Sequence, residues 1–74
     1  MNVAELTRGV LLREGGAWVN TAQEWDTPPG EFEFLSGNDV QVRFDALLET
    51  WLKQGRRSVY YVYEDGDLYL APRY

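Results

Sequence analysis

The chain has 74 residues, a formal net charge of −5 and a hydrophobic content of 45%, which fits one small ordered domain (1–74). It contains no cysteine and no histidine, so disulfides, zinc sites built on Cys and His, and Ser-His or Cys-His catalysis are excluded. No basic region followed by an apolar run opens it and no apolar run is long enough for a bilayer, so neither a signal peptide nor a membrane span is expected, and the expected location is cytoplasmic.

Residues 2–14, NVAELTRGVLLRE, predict a helix. Val3, Leu6 and Val10 share a face, Asn2 with Glu5 imitates a capping box, and Gly15-Gly16 would stop it. Gly9 weakens that reading. The rival pairs Val10–Arg13 with Ala17–Asn20 as a hairpin across Glu14-Gly15-Gly16. Residues 17–21 predict a short strand, and 22–30, with Pro28-Pro29-Gly30, a loop.

In 31–35, EFEFL, Phe32 and Phe34 alternate with Glu31 and Glu33, as in a strand. Ser36–Asp39 reads as a turn, and 40–44, VQVRF, alternates again with Val40, Val42 and Phe44 on one face, completing a hairpin over about 31–44. Val40, Phe44, Leu47 and Trp51 also fit a helical stripe, but alternation and β-branching favour the strand.

The clearest element is 45–55: Leu47, Leu48, Trp51 and Leu52 form an apolar stripe, Asp45 suits the N-cap, Gly55 the stop, and Lys53 the last turn. A second hairpin spans 58–72 around Asp65-Gly66, a strong two-residue turn signal. Its register sets Tyr63 opposite Leu68 and Tyr61 opposite Leu70. Val59, Tyr61, Tyr63, Leu68 and Leu70 then face the helix, and Tyr60, Val62, Tyr69 and Ala71 the other side. The expected fold is α+β: an antiparallel sheet of two hairpins, an amphipathic helix 45–55 packed on it, and an N-terminal helix or hairpin.

Charge is uneven. No lysine or arginine occurs between Arg13 and Arg43, an interval holding Glu14, Glu24, Asp26, Glu31, Glu33 and Asp39. On a strand, Glu31 and Glu33 stand about 7 Å apart, close to the spacing of neighbouring phosphates in a nucleic-acid strand. Glu24, Asp26, Glu31, Glu33 and Asp39 are therefore the candidate partner-binding row, with Trp25, an aromatic ringed by charge, as anchor. Glu64, Asp65 and Asp67 are a secondary set. The alternative for all of them is a solvated face that confers solubility.

Other chemistries fit less well. Paired-carboxylate catalysis by Glu31/Glu33 or Asp65/Asp67 needs a desolvated pocket that so small a domain has little room for. Glu64-Asp65-Gly66-Asp67 lacks the spacing of a calcium loop. Lys53, Arg56 and Arg57, with Tyr60, Tyr61, Tyr63 and Tyr69 nearby, suggest nucleic acid, but three cations stand against a net charge of −5, and helix C-terminal complementarity accounts for Lys53 and Arg56. No cofactor, metal, direct nucleic-acid contact or membrane is expected, and the chain is expected to be a monomer or a weak homodimer.

Short, acidic, single-domain, α+β and without a catalytic kit, the profile resembles that of small phage-encoded inhibitors, in particular anti-CRISPR proteins. The resemblance is to the class and aligns no residue. It implies a non-enzymatic protein in the host bacterial cytoplasm that binds a CRISPR-Cas effector subunit, as many members do, and imitates DNA to block target or PAM recognition, as the acidic ones often do. Antitoxin, immunity and anti-restriction proteins share the profile, and a self-associating module using the Tyr60/Val62/Tyr69 face is a further alternative.

Overall fold

The structure, a computed structural model, describes residues 1–21, 23 and 32–73. It is an α+β fold: one helix lies against a five-stranded antiparallel sheet. A single 3-10 turn, Val3–Glu5, precedes strands β1 (Arg8–Glu14), β2 (Ala17–Asn20) and β3 (Glu33–Leu35). Helix α1 (Val40–Lys53) and strands β4 (Ser58–Glu64) and β5 (Asp67–Pro72) follow. The strand order is β2-β1-β4-β5-β3.

The N-terminal segment is the hairpin of the two alternatives, not the helix. Asn2 does cap, its side chain accepting from the Ala4 N–H at 3.0 Å, but one turn is all that forms before Leu6 turns extended. From Arg8 onward the chain gains more as a strand, because β1 pairs on both sides, with β2 and with β4. The turn is Gly15-Gly16, with φ of 58° and 82°. Positive φ at both positions is the two-residue turn whose twist suits a hairpin, and glycine adopts it without steric penalty.

The hairpin expected over 31–44 does not form. β3 is a three-residue edge strand paired with β5, and Val40–Phe44 is the first turn and a half of α1. The sequence there satisfies both periods, and burial decides between them. Val40, Phe44, Leu48 and Trp51 form one buried helical stripe, whereas Val42, inward on the strand reading, is 70% exposed. Asp45 is therefore not the N-cap but an exposed mid-helix residue whose Oδ1 accepts from Gln41 Nε2 at 3.1 Å. Asp39 holds the N-cap position without a side-chain cap bond.

At its other end α1 stops where expected. Gly55 has φ 82°; its N–H donates to the Leu52 carbonyl at 3.0 Å, and the Arg56 N–H to the Trp51 carbonyl at 2.9 Å. This paired capping satisfies carbonyls the helix leaves open.

The β4–β5 hairpin has the expected register, Tyr63 opposite Leu68 and Tyr61 opposite Leu70, around an Asp65-Gly66 turn with φ of 52° and 83°. Val59, Tyr61, Leu68 and Leu70 are fully buried and, with Leu11, Leu35 and the α1 stripe, form the core; Tyr63, Leu47 and Trp18 pack against it. Tyr61 reaches across β1, and its hydroxyl donates to Asn20 Oδ1 on β2 at 2.6 Å. Buried phenol oxygens need such partners.

Candidate functional site

Antiparallel pairing sorts the charges by end of the sheet. β4 and β5 turn at Asp65-Gly66, β1 begins opposite Val62, and β3 ends opposite Leu68. The loop after β3 then starts α1 at that same end. The 3-10 turn joins it, because Gln41 Oε1 accepts from the Val3 N–H at 2.7 Å and Gln41 Nε2 donates to the Met1 carbonyl at 2.8 Å. Glu5, Asp39, Glu64, Asp65 and Asp67 are thereby gathered at one end, with Arg8, Arg43 and the Met1 α-amino group as cations there. All five carboxylates are exposed except Asp67, which is half-buried. Glu64 and Asp67 form a cross-strand pair, so their Cα atoms stand about 4.5–5.5 Å apart.

The opposite end holds most of the cations, with Glu14 next to Arg13 on β1 as an acidic residue among them. α1 finishes there with Lys53 in its last turn, followed by Arg56 and Arg57. Arg73 joins them, its N–H donating to the Ser58 carbonyl at 2.8 Å, as does Arg13, whose N–H donates to the Arg57 carbonyl at 3.0 Å. The 14 residues of α1 give a pole-to-pole distance of about 20 Å at 1.5 Å per residue. The Debye length at physiological ionic strength is about 8 Å, so each pole presents its own sign to a partner. The helix dipole adds to neither; its positive end lies at the acidic pole and its negative end at the basic one, where opposite charges are favourable.

Of the expected partner-binding row, Glu24, Trp25, Asp26 and Glu31 lie outside the described residues. Glu33 and Asp39 are both exposed. Glu33 is on edge strand β3 in register with Leu70, on the helix side of the sheet, and Asp39 is at the start of α1. The secondary set, Glu64, Asp65 and Asp67, does come together, and Asp39 and Glu5 belong with it. Glu5 was missed because only the chain topology brings it there. Among the described residues, Asp39, Glu64, Asp65 and Asp67 make no side-chain hydrogen bond or ion pair, and no group of three or more acidic side chains is disposed to hold a metal ion.

The helix-free face of the sheet carries an aromatic cluster. Phe34, 49% exposed, stacks obliquely on Tyr69 at 5.0 Å between centroids, and Phe32 meets Tyr69 edge-on at 6.3 Å. Tyr60 and Val62 are half-buried beside them, Ala71 is buried, and the Arg73 guanidinium stands over the Tyr60 ring at 5.9 Å. Among the described residues no helix is long and apolar enough to cross a membrane.

Comparison with known proteins finds no matching family, no matching curated protein and no matching solved structure.

Proposed function

We propose that this protein is a non-enzymatic inhibitor whose acidic surface imitates DNA and occupies a basic nucleic-acid-binding partner. The class resemblance points to a CRISPR-Cas effector complex as that partner, blocked by competition with target DNA or PAM binding. The observation that carries the reading is the gathering of Glu5, Asp39, Glu64, Asp65 and Asp67 at one end of the molecule. There Asp39, Glu64, Asp65 and Asp67 have no side-chain partner among the described residues. Carboxylates already desolvated by internal ion pairs would have little to offer the arginines of a partner. Exposed ones form charge-assisted hydrogen bonds and steer association.

The test is a competition measurement. Purified CRISPR effector complexes are assayed for binding of a labelled target duplex with and without the protein, across a salt series. The expected outcome is loss of duplex binding as the protein saturates its effector, with an affinity that falls steeply as salt rises. The triple reversal Asp39→Lys, Glu64→Lys, Asp67→Lys should weaken inhibition by more than 100-fold while far-UV circular dichroism stays unchanged. Full inhibition by that variant would refute the site, and a stable ternary complex with duplex would refute the competition.

One observation favours a second reading, self-association: Phe34 and Tyr69 are exposed side by side on the helix-free sheet face. It predicts a concentration-dependent dimer in sedimentation that Tyr69→Asp abolishes.

A further inference from the structure

The basic pole contains a cleft of about 560 Å³ lined by Leu12, Gln54, Gly55, Arg56, Arg57, Ser58 and Arg73. Three of these are arginines, and no acidic residue is among them. Their arrangement follows from the fold. Arg56 and Arg57 follow directly on the cap that ends α1 at Gly55. Arg73 is brought opposite them by the backbone bond from its N–H to the Ser58 carbonyl at 2.8 Å. Two of the guanidinium groups are braced: Arg56 Nε donates to Gln54 Oε1 at 3.1 Å, and Arg73 stands over the Tyr60 ring at 5.9 Å. Bracing lowers the entropy lost when a ligand fixes such long side chains.

In the wall of the same cleft, the Ser58 hydroxyl oxygen is buried without a hydrogen-bond partner among the described residues. Buried hydroxyls are normally satisfied, and this one belongs to a residue that lines a cleft with three arginines. Guanidinium forks from three arginines lining a small cleft, with an unsatisfied hydroxyl behind its wall, match a compact tetrahedral oxyanion. A long polyanion is disfavoured by the net charge of −5.

We propose that the Arg56/Arg57/Ser58/Arg73 cleft binds a single phosphate group, either inorganic phosphate or the terminal phosphate of a small monoester. This site is independent of the acidic pole and of the inhibitory function proposed for it.

The test is a titration of the ¹⁵N-labelled full chain with inorganic phosphate, with a nucleoside 5′-monophosphate and with short single-stranded oligonucleotides, at constant ionic strength held with chloride. Expected are saturable shifts of the Gly55, Arg56, Arg57, Ser58 and Arg73 amides with phosphate in the millimolar range. Arg57→Gln with Arg73→Gln should weaken binding at least tenfold, and Ser58→Ala severalfold, with thermal melts of all variants recorded to confirm folding. Tighter binding of the monoester identifies a phosphorylated small molecule as the source, and equal binding identifies free phosphate; either supports the site. Three outcomes overturn it: shifts that chloride reproduces, undiminished binding by the folded double variant, or affinity that rises with oligonucleotide length.

Discussion

Val42 and Phe44 separate the two readings of VQVRF at single-residue resolution. On a strand they would share a face; on α1 they part, Phe44 fully buried and Val42 70% exposed. Val42→Glu should therefore change stability by no more than about 0.5 kcal/mol, as surface substitutions do. Phe44→Ala should cost about 3–5 kcal/mol through the cavity it leaves, a large share of what so small a domain has. Chemical denaturation of the two variants checks both, and equal losses would put the segment back in a strand. Tyr61 gives a finer test. Tyr61→Phe keeps the ring but strips Asn20 Oδ1 of its donor at 2.6 Å, so a loss of about 1 kcal/mol is expected in the same denaturation experiment. The core residues of β4 and β5 were legible in the sequence, because Val59, Tyr61, Leu68 and Leu70 alternate cleanly about an unmistakable turn. Phe34 was not legible. Both parities of EFEFL carry an apolar residue, and it is Leu35, buried on the helix side, that fixes which face turns inward.

At the level of elements, stops and turns read more reliably than starts. Gly55, Gly15-Gly16 and Asp65-Gly66 all adopt the positive φ that their residue types allow. Gly66→Ala should cost about 1–2 kcal/mol from the left-handed backbone alone, since no neighbouring atom lies within 4 Å of the added methyl. Gly15→Asn, at φ 58°, should instead be neutral or slightly stabilising, because asparagine suits the first position of this turn and restricts the unfolded chain. Thermal melts of the pair test the contrast, and an equal loss in both would argue against the turn type. The start of α1 was misread for a physical reason. Asp39 makes no side-chain cap bond, whereas Asp45 stands in front of the strongest apolar stripe and looks like a cap. The N-terminal helix failed because pairing on both sides of β1 outweighs local propensity, and single-sequence periodicity does not register a strand's neighbours.

For the whole molecule, net charge is a poor guide to what a partner meets. The value of −5 correctly signals an acidic protein but averages over two poles of opposite sign. The charged residues of each pole come from distant parts of the chain: Glu5, Asp39 and Glu64 at one, Arg13, Lys53 and Arg73 at the other. Only the strand order assembles them; of the expected row, the described members are Glu33 and Asp39, both exposed, and Asp39 lies at the acidic pole.

That strand order also sets the path by which the chain reaches its native state. The β4–β5 hairpin and α1 are local, but β1 pairs with β4 from Arg8↔Val62 to Leu12↔Ser58, closing a loop over residues 13–57. Loop closure of that length carries an entropic penalty that local elements escape. The β4–β5 hairpin with α1 docked on it should therefore form the folding nucleus, and the β1–β2 hairpin should add late. In stopped-flow kinetics Leu68→Ala should mainly slow folding, and Leu11→Ala should mainly speed unfolding. The opposite pattern would mean that the chain first closes its longest loop.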